Sequence, residues 1–532
     1  MNSLDAQATA RDSGRWEALN FSSWSSYLIL LGVVFLGIQI GSSVTSGSLF
    51  KYPVLLAGLV IVGWPLFFYF GRGLSFEKAV VVMILTLPLL YGFAIDIGGT
   101  VRLTYLFTLL ALVLGLQQGR LRKLPGDPAS WLLVTFIAYA LVSTVFTFWI
   151  DFSAPMEVEG FRLTPFRSLV SVGQLVLMGI AFFVAFNYLG SLEKLRRLFN
   201  LVFWSTALIT LYGIYDFAAA LFNLPFFSVF YQSSSVHYAG GAADSSSFAA
   251  GGIFLPRPRS TLGEPLDLSI FLLFGISFSL AALSTDTRGL GNWWKKGVVG
   301  LEILLFFVAN SRSSLLALLV VLPLSLFIGG RAYRRQLLLW GSGVYLIFAL
   351  VILPLAGGDF SLFSPFSFYQ ERLQSVTYLA AALEGVPGAQ GQIGRGYTRQ
   401  LEVFKENPIL GVGFGNYPFY AFEKGTLIRL KPTFSMYMRL LTELGLLGTA
   451  LFLLFVGRIL WLLYKVITRM PNSSLAPFAR AALLGMVGVM IARAGLDGLN
   501  TDSYMWVMLG TGLAITQLAR RLEAPVPLSP LA

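Results

Sequence analysis

The stretch TFSMYMRLLTELGLLGTALFLLFVG, residues 433–457, decides the fold. A hydrocarbon core of about 30 Å is crossed by about 20 mostly apolar helical residues, and this run is long enough. It also carries two charges, Arg439 and Glu443, inside its apolar length. A charged side chain at that depth is costly unless it faces protein or a wet cavity and meets a partner. The i, i+4 spacing puts both on one helix face, so the sequence predicts a membrane span with an internal ion pair. Gly445 and Gly448 in the same run read as small residues at which another helix packs closely.

The rest of the chain has the same character. Of its 532 residues 56% are apolar and 12% are charged, against about 45–50% and about 25% in soluble domains. Nothing this apolar can clothe several soluble cores in polar surface, which excludes a cytosolic enzyme, a disordered chain and a fibre. Apolar stretches of spanning length lie near 27–43, 53–70, 79–95, 103–118, 130–150, 168–189, 199–220, 266–284, 297–310, 314–329, 337–356, 433–457, 480–496 and 503–519. The expectation is an all-α polytopic membrane protein with about 14 transmembrane helices, about 12 at the least. The run VVGLEILLFFVANSRSSLLALLVVLPLSLF also reads as one interrupted segment.

Charge placement orients the bundle. With both termini inside, RLRK at 120–123 and RAYRR at 331–335 fall in short cytoplasmic loops, as the positive-inside bias requires. That bias and contact with membrane lipids account for the net charge of +12, so no nucleic-acid partner is needed. The expected organisation is a cytoplasmic tail at 1–26, helices over 27–220, an external loop at 221–265 and helices over 266–356. A large external helical loop at 357–432 follows, then helices over 433–519 and a cytoplasmic tail at 520–532. Absence of cysteine removes thiolate chemistry, and a single histidine, His237, leaves no histidine-based zinc site. No metal and no cofactor is expected.

Chemistry must then come from helix ends and the two external loops. Arg312 in ANSRSSLLALLVV sits at an outer helix end, where a guanidinium is either an interfacial anchor or a planar fork for phosphate oxygens. Residues 366–386 and 393–406 have helical spacing. In the second of these Arg395, Arg399 and Glu402 share one face, which suits either lipid headgroups or a diphosphate. The segment ENPILGVGFGNYP at 406–418 alternates Gly411, Gly413 and Gly415, permitting unusual dihedrals and close backbone approach. It lacks the spacing of a dinucleotide fingerprint.

In this order, SRSSLLALL, a long external loop, ENPILGVGFGNYP and a span opening at TFSMYMRLLTELGLLG, the chain resembles the superfamily of membrane polysaccharide polymerases and O-antigen ligases. The likeness covers about residues 260–500. It implies a GT-C-like, metal-independent, inverting glycosyltransferase of the bacterial cytoplasmic membrane, with its site facing the periplasm. Donor and acceptor would be an undecaprenyl-diphosphate-linked glycan and an acceptor glycan, with chain-length regulator and flippase proteins as partners. The ligase signature R-x-x-x-L falls on Arg312 and Leu316, and the second signature's glycine and threonine fall on Gly445 and Thr449. Its histidine position holds Phe434, which takes no proton, so the polymerase branch is favoured and the ligase is the alternative.

The chemistry implied is stabilisation of a departing diphosphate, for which Arg312, Arg395, Arg399, Arg429, Arg257 and Arg259 are the candidate cations. An acceptor hydroxyl needs a base, and Glu264, Asp497 and Asp502 stand nearest the outer helix ends. Tyr397, Tyr417 and Tyr437 are candidates for stacking on sugars, or belt tyrosines at the interface. A bland alternative for Asp497 is an i, i+4 pair with Arg493. In another class, a lipid-linked sugar transporter or flippase fits the composition equally. Such proteins usually show repeated halves and broken helices at the midplane, and the sequence shows no duplication.

Overall fold

The computed structural model describes residues 73, 75–89, 94–96, 100–121, 126–149, 157–158, 161–162, 166–222, 247–250, 253–285, 293–309, 311–329, 334–335, 338, 392–423, 435–495 and 497–523. The chain divides into two compact units, and all the elements below belong to the unit formed by 76–224 and 233–532. Chain order runs α1 (Phe76–Leu89), β1 (Ala94–Asp96), β2 (Thr100–Arg102), α2 (Leu103–Gln117) and α3 (Pro128–Ser143). Next come β3 (Glu157–Val158), β4 (Phe161–Arg162), α4 (Phe166–Tyr188), α5 (Leu192–Phe222), β5 (Ser247–Ala250) and β6 (Ile253–Pro256). They are followed by α6 (Pro265–Thr285), α7 (Trp293–Ala309), α8 (Arg312–Ile328) and α9 (Gln392–Glu406). The last are α10 (Tyr417–Glu423), α11 (Met436–Arg469), α12 (Ala476–Ala492) and α13 (Ser503–Glu523).

Helices fall on the expected spans within the described residues, except that β1 takes the end of 79–95; 27–43, 53–70 and all of 337–356 but residue 338 lie outside the described residues. Among the described residues five helices are long and apolar enough to cross a membrane, Pro128–Thr147, Ser168–Tyr188, Leu192–Phe222, Pro265–Ser284 and Met436–Arg469. Among the described residues the expected all-helical fold gains three two-stranded antiparallel hairpins, β1–β2, β3–β4 and β5–β6, all in connections between helices. The run at 298–327 is two helices, α7 and α8, and not one. Ser311 caps the second by accepting from the Ser314 amide, so the chain restarts its helix there.

Packing follows residue size. α6 lies against α5, α7 and α12, and is buried nearly all round, as a helix without a polar face should be. Phe278 of α6 stacks on Phe199 of α5 at 4.2 Å between ring centres, and Phe478 of α12 meets the same ring edge-on at 4.7 Å. α13 packs on α4, with Trp506 fully buried against Phe452 and Phe455 of α11. Leucines 446, 447, 453 and 454 of α11 are exposed instead, which is what a lipid-facing stripe looks like.

The expected span at 433–457 is interrupted. Gly445 has φ 62° and ψ −165°, which breaks α11 between Leu444 and Leu446. The backbone groups freed there are not left unpaired. The amides of Val412 and Gly413 donate to the carbonyls of Thr442 and Glu443, at 3.0 and 2.8 Å. Those of Leu446 and Leu447 donate to the carbonyls of Pro408 and Ile409, at 2.8 and 3.2 Å. The glycine-rich turn thus fills the gap, and Gly411, Gly413 and Gly415 reach it with φ of 73°, 94° and 79°. Irregular backbone inside a membrane protein is tolerated only when satisfied in this way. Gly448 behaves as expected, lying close to Tyr139 of α3.

Candidate functional site

Two buried arginines organise one end of the bundle. Arg439, in the first turn of α11, donates from Nε to Glu443 Oε2 at 2.8 Å. Another of its nitrogens reaches Asp497 Oδ2 and Asn500 Oδ1, each at 2.8 Å. Its guanidinium lies 4.7 Å over the ring of Phe414, which the glycine-rich turn delivers. The Gly415 amide donates to the same Glu443 oxygen at 2.9 Å, and Asn500 donates to Gln174 of α4 at 2.8 Å. The ion pair expected from the i, i+4 spacing is therefore present, and it is tied into the turn as well.

Arg493 has different partners from those the sequence suggests. α12 ends at Ala492, so Arg493 is its cap and the i, i+4 geometry toward Asp497 is lost. The fully buried guanidinium instead pairs with Asp502, donates to Asp267 of α6 at 3.1 Å and meets the Tyr504 hydroxyl at 2.7 Å. Asp497 supplies it a backbone carbonyl, at 3.3 Å. Sequence reasoning missed Asp267, Gln174, Asn500 and Tyr504. Asp267, an acid in the first turn of an apolar span, was the readable signal among them.

Glu264 precedes α6 on the same side. Burial first, and then the neighbouring Asp267 carboxylate, push its carboxyl up to about 7, against the pull of Arg259, Arg493 and Arg257. The segment before it is pinned. Asp216 of α5 accepts from the amides of Arg259 and Ser260 at 2.6 and 3.0 Å, and Arg257 Nε donates to the Ala309 carbonyl at the end of α7 at 3.1 Å. That last bond ties Arg257 to the backbone just ahead of Arg312, the first residue of α8. The start of α8 meets the Arg493 region, since a Cβ on Gly495 would lie 2.7 Å from Ser313 Cβ.

Helix α9 joins the same end. The Tyr397 hydroxyl donates to the Ala494 carbonyl at 2.9 Å, and burial raises its phenol above the ordinary range. Arg399, two residues on and so on another side of the helix, lies near Tyr417, whose phenol burial pushes up to about 12. Tyr417 is packed among Val403, Val412 and Ala421, which sets its ring inside the protein. Tyr437 donates to the Met490 carbonyl at 2.8 Å. The side chains of Arg312 and Arg395 lie outside the described part of the molecule, as do Arg429, Phe434, His237 and the segment 366–386.

The structure thus gathers Glu264, Asp497, Asp502, Tyr397, Tyr437, Arg257, Arg259 and the start of α8. Asp497 and Asp502 are committed to arginines, whereas Glu264 is poised near neutrality beside three guanidiniums. Among the described residues no three His, Asp or Glu side chains gather to hold a metal ion.

Residues 297–453, from α7 through the first half of α11, match the family model described as O-antigen ligase. The match supports the O-antigen polymerase and ligase superfamily for this chain. It does not separate the branches of that superfamily. No curated protein matches the chain. Within the matched segment lie Arg312, Leu316, α9, the glycine-rich turn, Arg439, Glu443, Gly445 and Thr449. Outside it, α6, α12 and α13 contribute Asp267, Arg493 and Asp502 to the same end of the bundle.

Proposed function

We propose that this membrane protein transfers glycan from an undecaprenyl diphosphate carrier to an acceptor sugar hydroxyl at the outer face of the cytoplasmic membrane. One observation carries the reading: the start of α8, the external helix α9 and Glu264 converge where Arg439 and Arg493 tie the helix ends together. Arg439 and Arg493 are already matched by carboxylates, so their part is positioning. The diphosphate falls to Arg312, Arg395 and Arg399, with Arg257, Arg259 and Arg429 in reserve.

The step follows from leaving-group chemistry. The acceptor oxygen bonds to the anomeric carbon as the bond from that carbon to the diphosphate oxygen breaks, with inversion, and the hydroxyl proton passes to Glu264. Negative charge grows on the departing diphosphate, and preorganised guanidiniums stabilise it without reorganising. A base with a carboxyl near 7 is matched to proton transfer at neutral pH. In this reading Tyr397 and Tyr437 border the acceptor.

Polymerisation of lipid-linked repeat units is the favoured reaction, because Phe434 stands where ligases carry a histidine. Transfer of finished glycan to lipid A–core is the second reading, and the description of the matched family favours it. Deletion in the source bacterium, with surface glycan resolved by size, separates them. Loss of long chains with a single repeat retained identifies a polymerase; loss of all surface-attached glycan, with lipid-linked polymer accumulating, identifies a ligase. Arg312→Lys should lose most activity despite keeping its charge, since lysine lacks the planar fork. Parental chain lengths in that variant would remove Arg312 from the mechanism.

A further inference from the structure

The opposite end of the bundle carries a second cluster of cations, away from the residues proposed for glycan transfer. Asp127 caps α3, accepting from the Ala129 amide at 3.0 Å. Two arginines converge on its buried carboxylate from different helices. Arg520 of α13 reaches Oδ2 at 2.7 Å, while Arg458 of α11 stands off at 3.4 and 3.5 Å. One carboxylate between two guanidiniums leaves a net positive charge, and the arginine side chains remain 50% and 33% exposed. Most of their fork donors are therefore unspent.

The surroundings fix the depth of this pair. Trp131, one turn into α3, and Trp461 and Tyr464 on α11 are all exposed, where the leucine stripe of α11 ends. Exposed tryptophan and tyrosine at the end of an apolar stripe mark the membrane–water interface. Trp461 and Tyr464 stack at 6.1 Å, and Lys465 lies 5.0 Å from the centre of the Trp461 ring. Arg458, Trp461 and Lys465 occupy one helix face, at i, i+3 and i+7. Three cations from two helices thus stand at headgroup depth with one acid among them, and the positive-inside reading puts this end in the cytoplasm.

We propose that Arg458, Arg520 and Lys465 form a binding site for an anionic glycerophospholipid of the cytoplasmic leaflet, its phosphodiester on the arginines and its acyl chains along the leucine face of α11. Phosphate oxygens match the guanidinium fork, and the loosely held Arg458 is the arm that turns to them. A zwitterionic lipid brings its own cation into the same space and gains less.

The test uses the full-length protein purified in detergent, with retained lipid counted by native mass spectrometry. Expected is preferential retention of phosphatidylglycerol over phosphatidylethanolamine, with preference falling at least tenfold in Arg458→Gln/Arg520→Gln and unchanged in Arg469→Gln. Glycerol phosphate should not displace the lipid. Equal retention of both lipids by the parent overturns the proposal, as does undiminished preference in the double variant. Displacement by glycerol phosphate at the concentration of the lipid also overturns it, leaving a site for free phosphate. If the double variant does not fold, Arg520→Gln alone decides, because Asp127 then keeps Arg458.

Discussion

Arg439 holds Glu443, Asp497 and Asn500 with one guanidinium, so its removal strands two carboxylates at once. Leaving a buried charge uncompensated costs about 3–5 kcal/mol, and Arg439→Gln should lower thermal stability accordingly in a detergent melt. Asp497→Asn should cost less, because that side chain is the more exposed partner, at 16% against 2% for Glu443. Glu264 gives a pH prediction. As a base it works when deprotonated, so turnover should rise with pH through about 7. Glu264→Gln should remove that limb and slow transfer about 10²–10⁴-fold, measured as product formed from lipid-linked oligosaccharide. Stability runs the other way. A carboxyl raised above its ordinary value of 4.5 contributes stability that is present below that pH and lost as pH rises through about 7, and the glutamine variant should lack this decline.

The break in α11 makes its glycines unequal. A Cβ on Gly445 would strike the Ile409 carbonyl, and φ of 62° with ψ of −165° suits no other residue. Gly445→Ala should cost roughly 1–3 kcal/mol in backbone strain, with the collision adding to it. Gly457, twelve residues beyond that break and with nothing within 4 Å of an added Cβ, should tolerate alanine or gain up to about 1 kcal/mol in a melt. The sequence revealed part of this element. The Arg439–Glu443 pair was legible because helical spacing is local, and the three glycines of the turn announced their dihedrals. The interruption was not legible, because a glycine in an apolar run looks like a packing position, and the groups that satisfy it lie more than a loop away at 408–413. Arg493 misled for the same reason: a helix ending at Ala492 sends its partners to α6 and α13.

At the scale of the molecule, the described helices agree with one up-and-down arrangement. The expected outer ends meet around Arg493, while Glu77, at the start of α1, pairs at 2.5 Å with Lys194, at the start of α5, among the expected inner ends. The helical, membrane-spanning character came from hydropathy alone; the clustering of helix ends did not, since it depends on which helices become neighbours. The absence of cysteine makes sidedness easy to measure. Lys405→Cys on α9 should react with a membrane-impermeant thiol reagent added to intact spheroplasts, and Arg469→Cys at the far end of α11 should react only after lysis. The reverse pattern would put the proposed transfer site in the cytosol.

The turn that bridges the interruption at Gly445 has one further consequence. It splices two half-helices as a dowel joins two lengths of wood, with pegs at Pro408 and Ile409 on one side and at Val412 and Gly413 on the other. Inserting or deleting a single residue between them would misalign both joints together, and would carry the error to Phe414 beneath the Arg439 guanidinium. Relatives built this way should therefore vary freely in the length of their external loops, yet keep a constant count across these six positions.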